Sequence, residues 1–214
     1  MIKSTEVVKP LSSIIGNKDV TTPGIIRMTQ KQELVETYRW LRQYGLNDSH
    51  SGNASIRNGD AVWVTPTGAC ADTLTEADLV ACSIDGFVGE KASLDAPLHI
   101  AVYRSNPDAR CVLHSHGPNT VAITMDGKDF VPPDFEGAYY FQRVPVLNIP
   151  YQDYLDESPG QVSRSLARHR ITVVRGHGVY ACAETINLAY KWTSSLELSA
   201  NTAFIAKLSG TIPN

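Results

Sequence analysis

Val112-Leu113-His114-Ser115-His116-Gly117 is the stretch on which the reading of this chain turns. The apolar run Cys111-Val112-Leu113 leads into two histidines separated by one residue, and a glycine follows. Successive strand residues point to opposite faces, so His114 and His116 share one face. A third histidine stands in Val173-Val174-Arg175-Gly176-His177-Gly178, again at the end of a β-branched run and held between glycines. Glycine removes side-chain bulk and lets the backbone bend close to a ligand. Three imidazoles would leave one position of a tetrahedral, zinc-like ion open, as in a catalytic rather than a structural site. His50, His99 and His169 lack such company and read as hydrogen-bonded structural groups.

Outward from these runs, the chain alternates short strands and helices. Residues 1–28 carry Pro10, Gly16, Pro23 and Gly24 among Ser and Thr and read as an extended arm. From Thr29, the spacing of Leu34, Val35, Tyr38, Leu41 and Tyr44 predicts an amphipathic helix stopped by Gly45. Runs 52–57 and 61–66 flank Asn58-Gly59, a hairpin signal, and Leu79–Ile84 is a further strand. Asp95–Arg104 reads as a helix with Ser93 or Asp95 as N-cap and Pro97 in its first turn. Beyond the histidine strand come a short helical piece near Thr120–Thr124 and a loop with Pro132 and Pro133. Val144–Ile149 then reads as a strand whose Pro145 favours an edge. Gln161–His169 is predicted as a helix, Ile171–Arg175 and Gly178–Cys182 as strands, and Leu188–Leu208 as a closing helix. This order predicts one α/β domain, residues 29–214, with a largely antiparallel central sheet flanked by helices.

Composition narrows the function classes. The 214 residues are 43% hydrophobic, enough for one domain with a substantial core. A formal net charge of -3 without a Lys/Arg-rich run argues against nucleic acid or a membrane surface as partner, and leaves room for a small anionic substrate. No apolar run reaches the ~18 residues of a membrane span, and no signal-peptide pattern opens the chain, so a soluble cytoplasmic protein is expected. Cys70, Cys82, Cys111 and Cys182 lack Cys-x-x-Cys spacing and read as reduced thiols.

With these elements in order, the chain resembles the class II aldolase/adducin family, in particular its fuculose-phosphate-type aldolases. The resemblance covers roughly residues 30–208. It rests on Gly52-Asn53-Ala54-Ser55-Ile56-Arg57, Thr65-Pro66-Thr67-Gly68, the helix start at Ser93, His114-Ser115-His116 and Gly176-His177-Gly178. It implies the family's three-layer α/β fold, zinc (or Mn2+ or another divalent metal) on His114, His116 and His177, and substrate phosphate at Asn53, Thr67, Gly68 and Ser93. Turns and helix starts expose unpaired N–H groups, so an anion cradle there is physically reasonable, although the same residues also read as plain turns.

Two positions depart from the pattern. Asp95 stands where the aldolases carry a glutamate that serves as acid/base and can also touch the metal, and it reads either as that base or as a helix N-cap. Leu94 stands where they usually carry a second phosphate-binding serine. Pro132 to Tyr140 resembles a segment near the active-site entrance of archaeal-type members. Glu136, Tyr139 and Tyr140 are therefore candidates for a proton donor or substrate contact, with a solvated loop of packing tyrosines as the alternative.

The resemblance further implies a homotetramer with sites at subunit interfaces; because the sequence stops soon after the last helix, at Gly210-Thr211-Ile212-Pro213-Asn214, the long C-terminal lid of some relatives is not expected. The expected reaction is aldol cleavage of a ketose 1-phosphate to dihydroxyacetone phosphate and an aldehyde, through an enediolate whose charge the metal stabilises. Decarboxylation of a 3-oxo acid (phosphate) and dehydration of a sugar phosphate can use the same site. An adducin-like interaction module is the non-enzymatic alternative, and three intact histidines argue against it.

Overall fold

The computed structural model describes residues 28–212, so the expected arm, except Met28, lies outside the described residues. Helix α1 (Gln30–Gln43) opens with a reciprocal capping box between Thr29 and Gln32 and ends at Gly45, whose φ is +72°. Strands β1 (Asn53–Asn58), β2 (Ala61–Val64) and β3 (Val80–Ser83) follow. Asn58 pairs with Ala61, so the β1–β2 turn is Gly59-Asp60, with Gly59 first at φ +61°. That is the position where a type II′ turn takes glycine.

Helix α2 (Ala96–Ser105) leads to β4 (Cys111–Ser115) and the short α3 (Pro118–Ile123). Next come α4 (Phe135–Tyr140), β5 (Val146–Leu147) and α5 (Tyr154–Leu166), and the chain closes with β6 (Ile171–Val174), β7 (Gly178–Ala183) and α6 (Ile186–Leu208). The strands form one sheet in the order β3-β2-β1-β4-β7-β6-β5. Every pairing is antiparallel except β5 with β6. The single α/β domain with a largely antiparallel sheet is thus the observed architecture.

Three local expectations change. The segment before Phe141 is not a loop: Asp134 accepts a hydrogen bond from the Gly137 N–H and caps a helix there. Helix α5 begins at Tyr154 rather than Gln161 and runs through Pro159. A proline deprives the carbonyl four residues earlier of its partner, here Leu155, a residue 58% exposed, so water can replace the lost bond. The strand expected at Val144–Ile149 shrinks to two residues at the sheet edge, consistent with Pro145.

Strand β4 is buried on both faces, and its alternation sorts the core. Leu113 packs with Ile56, Val173, Ala181 and the buried residues of α1 and α6, while Val112 packs with Val64, Cys182 and the buried residues of α2 and α5. His114 follows Val112 onto the α2/α5 side, where the site is built. All four cysteines are free. No helix among the described residues is long and apolar enough to cross a membrane.

Candidate active site

Strand pairing lays the site across the sheet. Asn53 of β1, His114 of β4 and Tyr180 of β7 are direct cross-strand partners, so their side chains share one face. His116 sits just past the end of β4, its backbone N–H held by the Leu46 carbonyl at 2.8 Å and by Asn47 Oδ1 at 2.9 Å. His177 lies on the β6–β7 turn, made by Gly176 at φ +67°. A side chain at Gly178 would place its Cβ 2.6 Å from His116 Cδ2 and 2.9 Å from His114 Cε1, so glycine is required for the rings to converge.

They converge through Nε2. His114 Nε2 is 2.9 Å from His116 Nε2 and 3.3 Å from His177 Nε2. His114 Nδ1 is 3.0 Å from the Val179 carbonyl, which fixes the tautomer with the proton on Nδ1 and leaves Nε2 a bare acceptor. Without a cation, Nε2–H of His116 or His177 can donate to this lone pair; with both in the other tautomer, three Nε2 lone pairs face one point and a cation there would satisfy them together. Burial first, then the neighbouring imidazoles, drives the His114 pKa well below its usual value; burial and His177 bring His116 to about 4, and burial lowers His177. All three are therefore neutral near pH 7, the state in which imidazole binds metal. The donor set fits a divalent ion, and their ligand atoms lie within 4.8 Å of one another.

Asp95 lies beside this cluster. It occupies the N-cap position of α2, but its side chain makes no capping hydrogen bond, so capping is not the work of the carboxylate. Instead Oδ1 accepts from the Tyr154 hydroxyl at 2.8 Å, and Oδ2 accepts from Asn53 Nδ2 and the Tyr180 hydroxyl, each at 2.9 Å. Oδ2 is also 3.9 Å from His114 Nε2. Burial raises the carboxyl pKa, but the charge that His114 and His99 carry once protonated in acid, with the hydrogen bonds from the Asn53 amide and the Tyr154 hydroxyl, outweighs it and holds the group at about 2. Burial and Asp95 push both phenols upward, so they remain protonated donors.

A cavity of about 880 Å³ holds His114, His116, His177 and Asp95 together with Asn53, Thr67, Gly68 and Ser93. The donors read from the sequence are thus brought together, but not all are free. Asn53 spends an amide N–H on Asp95, and the Thr67 hydroxyl donates to the Ala92 carbonyl at 2.8 Å. Ser93 Oγ accepts the Asp95 N–H at 3.3 Å, which leaves its own proton available. Leu94, 68% exposed, presents an apolar side chain on the same wall.

Glu136, Tyr139 and Tyr140 are not brought to this cavity. They lie on α4 against α6, with Tyr140 packed edge-on to Trp192 at 5.7 Å and Tyr139 79% exposed. Tyr154 and Tyr180 were missed by the sequence reading. Tyr180 had a signal, being the second residue after Gly178 on a strand whose partner carries His114. Tyr154 had none, because Pro159-Gly160 hides the helix that it begins.

Three convergent imidazoles and an ionised carboxylate at the open end of an α/β sheet define a candidate metal-dependent catalytic centre. The sequence profile of the Class II Aldolase and Adducin N-terminal domain matches residues 32–204, and the chain belongs to that family. It is similar to the L-fuculose phosphate aldolase of Escherichia coli, with 27% identity covering 79% of this chain and 80% of the relative. It is similar also to the 3-oxo-tetronate 4-phosphate decarboxylase of Haemophilus influenzae, with 29% identity covering 83% of this chain and 88% of the relative. Among solved structures, the l-fuculose-1-phosphate aldolase of Thermus thermophilus superposes with a TM-score of 0.77 at 30% identity, covering 84% of this chain and 96% of that one.

Proposed function

We propose that the protein is a cytoplasmic, zinc-dependent carbon–carbon lyase that cleaves a ketose 1-phosphate to dihydroxyacetone phosphate and an aldehyde. The observation that carries the proposal is the convergence of three Nε2 atoms beside one ionised carboxylate in a cavity of substrate size. Held by His114, His116 and His177, zinc would supply Lewis-acid polarisation of the substrate carbonyl and stabilise the charge that develops as the bond breaks. The remaining work falls to side chains. Asp95 accepts the proton of the hydroxyl whose carbon–carbon bond breaks, then returns a proton to the carbon left behind. The Ser93 hydroxyl and the Gly68 backbone N–H hold the phosphate end, with Thr67 shaping the turn while its own N–H and hydroxyl stay on the Lys91 and Ala92 carbonyls, and the Asn53 amide reaches it when released from Asp95.

Decarboxylation of a 3-oxo acid is the second reading, favoured by one observation: Leu94 puts an apolar side chain at the anion corner, which suits a substrate that depends less on phosphate donors. The active form is proposed to be a homo-oligomer. Helix α4 packs on α6, and between them they expose Phe135 (89%), Tyr139, Leu198, Ile205 and Leu208, an apolar surface suited to a second copy.

A turnover screen of the metal-loaded protein decides among the reactions. Ketose 1-phosphates, their unphosphorylated forms and 3-oxo acid phosphates are offered side by side, and release of dihydroxyacetone phosphate is the expected result. Carbon dioxide release without cleavage of any ketose phosphate would transfer the assignment to the decarboxylase reading.

A further inference from the structure

We infer that Tyr154 and Tyr180 are positioning residues that hold Asp95 outside the ligand set of the metal, so that it serves as a base beside the ion rather than as a fourth protein ligand. The inference rests on the three histidines being a metal site. Asp95 is close enough for the alternative to matter, since its Oδ2 is 3.9 Å from His114 Nε2. Yet the side chains whose ligand atoms all lie within 4.8 Å of one another are His114, His116 and His177, without Asp95.

The hydrogen bonds account for this. A carboxylate has about four lone-pair sites, and three are filled by donors from three different elements. Tyr154 reaches Oδ1 from the start of α5, whereas Tyr180 and Asn53 reach Oδ2 from β7 and β1. A buried carboxylate with three donors gains little by exchanging them for an ion already held by three imidazoles. The donors are themselves fixed. The Tyr180 ring lies parallel to His114, with centroids 4.0 Å apart, and the Tyr154 ring meets His177 edge-on at 4.6 Å. The two hydroxyls also touch one another. Tyr154 is the sole side-chain donor to Oδ1 among the described residues, so its hydroxyl is the most sensitive point of the clamp. Phenylalanine there keeps the ring contact with His177 and removes that donor together with the contact to the Tyr180 hydroxyl.

The test is a zinc titration of metal-free protein against a chromophoric chelator, with no substrate present. If Asp95 is held off the ion, Tyr154→Phe frees it to bind, and zinc affinity should rise by about tenfold, the equivalent of one hydrogen bond to a charged group. The gain should vanish when Asp95→Asn is added to Tyr154→Phe. Tyr180→Phe asks the same question through Oδ2, should the first variant prove unstable. Unchanged or weaker affinity in variants of normal melting temperature would overturn the inference, and so would a gain that survives Asp95→Asn. Wild-type protein that takes up no zinc overturns it together with the metal reading. A wild type that binds zinc but turns over nothing in the substrate screen counts against the proposed reaction alone, because the titration does not involve turnover.

Discussion

His99 and His114 are both fully buried imidazoles on the α2/α5 side of the sheet, and only one of them belongs to a metal site. His99 Nδ1 is 2.7 Å from Ser55 Oγ, which is itself 2.6 Å from the Tyr103 hydroxyl, and its Nε2 has no partner among the described residues. His114 Nδ1 is tied to a backbone carbonyl, and its Nε2 faces two further imidazoles. Burial lowers proton affinity in both regions, to about 4 at His99 as at His116. Neither burial nor a depressed pKa therefore marks a ligand. Convergence does, and it comes from a strand end, a glycine-made turn and Gly178.

The largest test of that contrast is a pair of substitutions. His114→Ala should weaken zinc binding by at least about 100-fold, since it removes one of three ligands. His99→Ala should leave zinc stoichiometry intact and cost about 2–3 kcal/mol of stability. Loss of metal from the His99 variant, in a protein that still melts cooperatively, would erase the distinction.

Asp95→Asn comes next. Turnover should fall by about 100-fold or more, the usual scale for an acid/base group, while zinc remains bound. Activity near wild type would remove Asp95 from the chemistry.

Acid stability sharpens the comparison further. The folded-state pKa values of His99, His114, His116 and His177 are all lowered, so the unfolded chain binds more protons at these groups below its own value of about 6.5. Their contribution is complete above that pH and is lost as pH falls towards about 4, the value at His99 and His116. The melting temperature of the metal-free protein should drop across this window. Zinc should protect the histidine cluster against that drop but leave the share of His99 in place. A flat melting profile from pH 6.5 to 4 would contradict the burial argument.

The smallest expected effect is that of Glu136→Gln on α4, where turnover should stay within about twofold of wild type, as for surface substitutions generally. A tenfold loss would mean that a second copy carries α4 to the cavity.

Much of this contrast is legible in the residues themselves. The alternation of His114 and His116 behind an apolar run follows from the two-residue period of a strand. The His177 turn follows from its flanking glycines, and His99 lacks any such company. Local signals of this kind also place α1, the β1–β2 hairpin and the edge character of β5. Where two local signals compete, the reading fails. Pro159-Gly160 reads as a break, yet α5 runs through it, with the residue that loses its partner, Leu155, at the exposed start of the helix. Pro132-Pro133 reads as a loop, yet Asp134 caps a helix just beyond.

By itself, then, the sequence determined which imidazoles could act together, because their spacing is written in backbone periodicity and in glycines. The partners of Asp95 were decided only by tertiary structure. Tyr154 and Tyr180 lie 59 and 85 residues along the chain from it, and no local period links a helix start to a strand across that distance. The pairing of β4 with β7 and the packing of α5 against α2 bring both hydroxyls onto one carboxylate. That contact turns an apparent helix cap into a buried, ionised acceptor beside the three histidines.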